Sequence, residues 1–85
     1  MSNCEINKFG TKRWYQNGKL HRENGPAIEY ANGGEEWRQN GKLHRLDGPA
    51  VEWFDGSKEW WLNDEEYTKE EFVLLQFIKG IITNE

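Results

Sequence analysis

Apolar residues in this chain come in short bursts of alternating pattern, separated by turn signals. The segments AIEYA, EEWRQ, KLHR, AVEWF and KEWWL are rich in β-formers, and Asn-Gly at 17–18 and 40–41, Gly-Pro at 25–26 and 48–49, Asn32-Gly33 and Asp55-Gly56 punctuate them. Asn, Asp and Gly tolerate the positive φ of tight hairpins, so the spacing predicts an antiparallel β-meander. The period then changes. YTKEEFVLLQFIKG, 67–80, places Thr68 and Glu71 at capping-box spacing, puts Glu70 and Glu71 in a first turn where the helix dipole favours acids, and reaches Gly80 after Lys79. A helix is expected over 69–79, with Phe72, Val73, Leu74, Leu75, Phe77 and Ile78 apolar around more than one face.

Register decides which side chains share a face, because a one-residue slip turns a whole strand over. Two-residue turns at Asn32-Gly33 and Asp55-Gly56 would set Ile28 opposite Trp37 and Val51 opposite Trp60. At Asn40-Gly41 a three-residue turn with a glycine bulge would set Trp37 opposite Leu43, again apolar against apolar. The expected core is then Trp14, Leu20, Ile28, Tyr30, Trp37, Leu43, Val51, Trp53, Trp60 and Leu62. Tyr15, Glu29, Glu36, Arg38, Glu52 and Trp61 fall on the wetter face.

Sliding the chain by 23 residues aligns 14–36 with 37–59, and 14 of the 23 positions are identical. A third copy begins at Trp60 and diverges after Asn63, and FGTKRW (9–14) matches DGSKEW (55–60) upstream. The expected fold is mainly β: a hairpin repeat with a 23-residue period and one C-terminal α-helix packed on the sheet. It forms a single domain over 1–85, with repeats 14–36 and 37–59 between partial units 5–13 and 60–67.

Composition narrows the function classes. Hydrophobic residues are 35% of 85, yet five are Trp, so a few rings must supply most of the burial. Residues 1–34 carry five Lys/Arg against three acids and residues 35–85 six against twelve, for a net charge of −4. Nucleic acid and anionic membrane both call for basic patches, and neither is an expected partner. Cys4 alone cannot form an internal disulfide, and no signal-like or membrane-length apolar run is present, so a cytoplasmic protein is expected.

The unit W-x-x-N-G-K-L-H-R-x-(D/N)-G-P-A-(I/V)-E-(Y/W)-x-(D/N)-G-x-x-E-W resembles the short repeat of proteins from tailed bacteriophages, mobile elements and giant viruses. That repeat is related in length and turn chemistry to MORN-type repeats and their bacterial variant. The resemblance covers about residues 9–67, and the TKEEF helix also resembles the usual ending of the phage proteins. It implies a meander used as an interaction platform, and the bacterial variant implies an antitoxin partner. The HR-x-(D/N)-GPA segment and the tryptophans depart from the MORN pattern, so lipid binding is not carried over.

The sharpest candidate chemistry is His21-Arg22 and His44-Arg45, at equivalent positions of both units. A catalytic group is needed once, a fold-defining group in every unit. The structural reading pairs each Arg with an acid on a neighbouring strand and places each His at the Gly-Pro corner. The alternative lines one groove with all four to hold an anion such as a nucleotide phosphate, which suits the arginine fork. Asn24 and Asp47 are expected to open β-turns by accepting backbone N–H groups. No catalytic residue, cofactor or metal site is expected. Divergent positions are the better candidates for partner binding: Tyr15, Arg38 and Trp61 share one repeat position, Phe54 replaces Ala31, and Leu46 replaces Glu23. The expected function is a phage or mobile-element accessory protein that binds and modulates a host protein in the host cytosol, with a homodimer through the C-terminal helix as an added expectation. Sequestration of an anionic small ligand comes second, and an antitoxin role third.

Overall fold

The computed structural model describes residues 3–83, with side chains to residue 78. Its strands are β1 (Asn3–Ile6), β2 (Lys12–Gln16), β3 (Lys19–Leu20), β4 (Ile28–Glu29), β5 (Glu35–Glu36), β6 (Arg38–Gln39), β7 (Lys42–Leu43), β8 (Val51–Glu52), β9 (Lys58–Leu62) and β10 (Glu65–Tyr67), followed by α1 (Lys69–Thr83). The main sheet is antiparallel in the order β1-β2-β4-β5-β8-β9-β10, with β3 also on β2 and β6-β7 forming a separate ribbon. The chain is a mainly β meander with its helix against the last two strands.

Two turn types alternate, and they are the reverse of those expected. At Asn17-Gly18, Asn40-Gly41 and Asn63-Asp64 both central residues have positive φ (53° and 77°, 53° and 84°, 49° and 69°), which makes two-residue type I′ hairpins. Arg38 therefore pairs with Leu43, and the His44 N–H donates to the Trp37 carbonyl at 3.1 Å, so Trp37 faces His44 and not Leu43. At 8–10, 31–33 and 54–56 the loops have three residues. Gly33 donates to the Tyr30 carbonyl at 2.9 Å, Tyr30 donates to the Gly34 carbonyl at 2.8 Å, and Gly33 takes φ 99°; Trp53, Gly56 and Ser57 repeat the arrangement. The side chain decides the longer loop: Asn32 Oδ1 accepts from Gly34 N and Asp55 Oδ1 from Ser57 N, both at 2.9 Å, which fixes the turn one residue longer than Asn-Gly alone would.

The registers move with the turns. Ile28 pairs with Glu36 in place of Trp37, and Val51 with Glu59 in place of Trp60. One residue of slip puts Trp14, Trp37 and Trp60 on the face opposite Ile28 and Val51. Matching apolar to apolar failed at Trp14 and Trp37 because an arginine covers each ring.

The buried hydrophobic residues are Ala27, Ile28, Ala50, Val51, Leu62 and Phe72. Of the expected core, Ile28, Val51 and Leu62 are buried, Trp14, Leu20, Tyr30, Trp37, Leu43 and Trp60 are half-buried, and Trp53 is 41% exposed. Glu36, expected on the wet face, is only 9% exposed. The molecule measures 45 × 31 × 18 Å, a flattened shape in which most of the large side chains of the sheet stay half-buried.

The helix starts where its capping box predicts: Thr68 Oγ1 accepts from Glu71 N at 3.0 Å, and Glu71 Oε1 accepts from Thr68 N at 2.9 Å. It runs to Thr83, past the expected end at 79. A glycine inside a helix costs only about 1 kcal/mol, too little for Gly80 to stop it. Phe72, 4% exposed, is its anchor on the sheet. Val73, Leu74, Phe77 and Ile78 face outward, 42–65% exposed.

Candidate functional site

Each His-Arg pair belongs to a built arrangement around a tryptophan. The Arg22 guanidinium carbon lies 3.8 Å from the centroid of the Trp14 ring, and Arg45 lies at the same 3.8 Å over Trp37. A glycine packs close against each guanidinium as well, since a Cβ on Gly25 or Gly48 would stand 2.9 Å from that carbon. Arg22 Nη1 donates to the Pro26 carbonyl and Arg45 Nη1 to the Pro49 carbonyl, both at 3.2 Å. The string W…HR…GP thus encodes a Trp-Arg-Gly stack, with the cation held against an aromatic face. Arg22 also pairs with Glu29 of β4 at 3.2 Å, the acid on a neighbouring strand that the sequence suggested. Arg45 pairs instead within its own loop, its Nε donating to Asp47 at 2.8 Å. That bond holds the Asp47 carboxyl below the usual carboxylate range. Asp47 therefore serves the arginine, while the expected side-chain-to-backbone turn bonds occur at Asn7, Asn32 and Asp55.

The histidines join one unit to the next. His21 Nδ1 accepts from Asn40 N at 2.9 Å, and His44 Nδ1 accepts from Asn63 N at 3.1 Å. Beside each runs a carbonyl link, Gly41 N to Leu20 O at 2.8 Å and Asp64 N to Leu43 O at 2.9 Å. With Nδ1 accepting a main-chain N–H, His21 carries its proton on Nε2 and donates it to Glu23 at 2.7 Å. His21 is only 4% exposed. Both histidines thus act on the following type I′ turn, and His21 also bonds Glu23 beside its own Gly-Pro corner.

Tyr15, Arg38 and Trp61 come out half-buried, on the same face as Ile28 and Val51. Two of the three are held by carboxylates, one of which, Glu36, was expected on the wetter face. Glu36 accepts from Tyr30 Oη at 2.7 Å and from Arg38 Nε at 2.9 Å. Glu59, one unit on, accepts from Trp53 Nε1 at 2.9 Å and Trp61 Nε1 at 2.8 Å. Burial, reinforced by the bond to Glu36, pushes the Tyr30 hydroxyl up to about 12. A glutamate at the same place in both repeats, flanked by donors six positions before and two after, was the available signal for these clamps.

Within the two repeats, the exposed large apolar side chains lie where the copies differ. Leu46 is 53% and Phe54 70% exposed. Phe54 stands on a three-residue loop, whereas Leu46 lines a groove of about 350 Å³ with Trp37, His44, Arg45 and Asp47. The structure brings Leu46 together with the second His-Arg pair and keeps Phe54 apart from it. Among the described residues no group of three or more His, Cys, Asp or Glu is placed to hold a metal ion, and no helix is long and apolar enough to cross a membrane. No protein-family model, curated protein or solved structure matches the chain.

Proposed function

We propose that this chain is a binding protein without catalytic chemistry of its own, an accessory protein of a phage or mobile element that engages and blocks a host protein. The observation that supports this is the division of labour between identical and divergent positions. His, Arg, Gly, Pro and Ala, shared by both repeats, are taken up in stacks, inter-unit bonds and core. Leu46 and Phe54, where the repeats differ, are left in solvent. A surface of large apolar groups on a stiff, internally bonded frame is suited to occluding a partner, since little ordering is needed on contact.

The test is affinity capture from the host cell with the wild-type chain and with Leu46→Ala/Phe54→Ala, whose melting curves should agree. One host protein retained by the first and lost by the second supports the reading. A co-purified small anion with no protein, lost on Arg22→Ala/Arg45→Ala at unchanged stability, overturns it in favour of ligand sequestration.

A further inference from the structure

The sheet has two ends, and they are treated differently. At one end β10 and β9 are contacted by α1. At the other, among the described residues β1 pairs only with β2, leaving its outer edge open, and all four of its residues are exposed. Backbone groups of alternate residues point to opposite sides of a strand, so the β2 bonds show which groups of β1 face outward. Trp14 N donates to Ala27 O at 2.8 Å, away from β1. Its partner across the β1-β2 ladder is Cys4, and Ile6 lies two residues on, opposite Lys12. The N–H and C=O groups of Cys4 and Ile6 therefore line the open edge.

Two internal strands show what this edge accepts. Ala27 and Ala50 stand one period and two periods after Cys4. Their carbonyls accept from Trp14 N at 2.8 Å and from Trp37 N at 2.6 Å, each time from the Trp-bearing strand before them. The pairs that follow are Arg13 with Ile28 and Lys12 with Glu29, then Glu36 with Val51 and Glu35 with Glu52. Carried to β1, the same register sets an incoming aromatic residue against Cys4, the residue before it against Glu5, and the one before that against Ile6. Glu5 favours a basic residue there. A second copy fits poorly: two β1 strands related by a two-fold axis, with Cys4 against Ile6, would place Glu5 against Glu5.

We propose that the outer edge of β1 is a strand-addition site for an extended segment of a partner protein carrying a basic-basic-aromatic sequence, bound antiparallel at Cys4–Ile6. This rests on the binding role above and gives its partner a chemistry. Asn3–Ile6 contains no Pro and no Lys, the residues that usually protect such an edge.

The probe is a capped synthetic peptide with the sequence of residues 10–17, GTKRWYQN, titrated into the full chain by fluorescence anisotropy. A second peptide, GGEEWRQN from residues 33–40, presents Glu to Glu5. The expected result is a saturable isotherm for the first peptide, with slowed amide exchange at Cys4 and Ile6, and weaker binding of the second. Ile6→Pro removes an outward N–H without touching the β1-β2 ladder, and it should weaken the first peptide about tenfold or more at an unchanged melting temperature. Glu5→Lys should reverse the order of the two peptides. No saturable binding of the first peptide, or equal binding to wild type and Ile6→Pro, overturns the proposal. Host capture that persists with Ile6→Pro but fails with Leu46→Ala/Phe54→Ala leaves the proposed function standing without it.

Discussion

Arg45 sits over Trp37 with its guanidinium carbon 3.8 Å from the ring centroid, and Gly48 packs close against the same carbon. The closeness of that glycine is what the stack requires of the sequence. Gly48→Ala would place a methyl 2.9 Å from the guanidinium carbon and push Arg45 off the ring. Because the displaced atoms are the far end of a flexible side chain, the cost should be that of the lost stack, about 0.5–2 kcal/mol. Gly25→Ala should cost a similar amount, and adding Arg45→Ala to Gly48→Ala should be less than additive. Thermal melts of the four variants would decide it, and a Gly48→Ala curve superposing on wild type would show that the stack contributes nothing.

Arg45→Lys keeps the charge but loses the planar group that meets both Trp37 and the Pro49 carbonyl. A loss of about 1–2 kcal/mol is expected, since lysine offers a point charge in place of a rigid fork. The readout is denaturant unfolding together with near-ultraviolet circular dichroism, because the Trp37 environment should change with the stability.

His21→Ala and His44→Ala test whether the histidines tie the units together. At His21, 4% exposed, removal leaves the Asn40 N–H without its acceptor in a covered place, and about 1–3 kcal/mol should be lost. The His44 bond to Asn63 is more exposed and longer, so its variant should lose less. Amide exchange should accelerate at Asn40 in the first variant and at Asn63 in the second. Acceleration spread evenly over the sheet in both would count against a local link.

Tyr30 gives a pH signature. Its hydroxyl is raised to about 12 in the folded chain against 10.0 for the free group, by burial and then by donation to Glu36. A raised folded value means that the stabilisation is complete below pH 10.0 and is lost as pH climbs through about 12. Phenolate titration should show one tyrosine ionising later than the rest, and Tyr30→Phe should remove that phase and flatten the alkaline fall in stability.

How legible this was depended on whether a residue acts within its own segment or across units. The helix start needed only Thr68 and Glu71, three residues apart in one turn, and its capping box forms as spaced. The hairpins were visible at every Asn-Gly and Asp-Gly, but their lengths were not. The side chains of Asn32 and Asp55 lengthen two loops, and the Trp37–His44 pairing shortens another. The rule that apolar should face apolar then put Trp14, Trp37 and Trp60 on the wrong side, and for Trp14 and Trp37 it failed to count an arginine as the ring's cover. The same gap hid Glu36 and Glu59, whose donors become neighbours only once the register is known. Divergence of the copies was a partial guide to exposure: Leu46 and Phe54 are exposed, whereas Tyr15, Arg38 and Trp61, equally divergent, are half-buried.

The inter-unit bonds have a kinetic meaning as well. Gln39 to Arg22, Asn40 to His21, Asn63 to His44 and Leu43 to Asp64 span 17, 19, 19 and 21 residues. Loops of such similar length cost nearly the same entropy to close, and none requires the two ends of the chain to meet. Folding can therefore advance like a zip from whichever hairpin forms first, with one repeated closure setting the pace. For a sheet that is mostly β, that is a route to rapid folding by way of short-range steps.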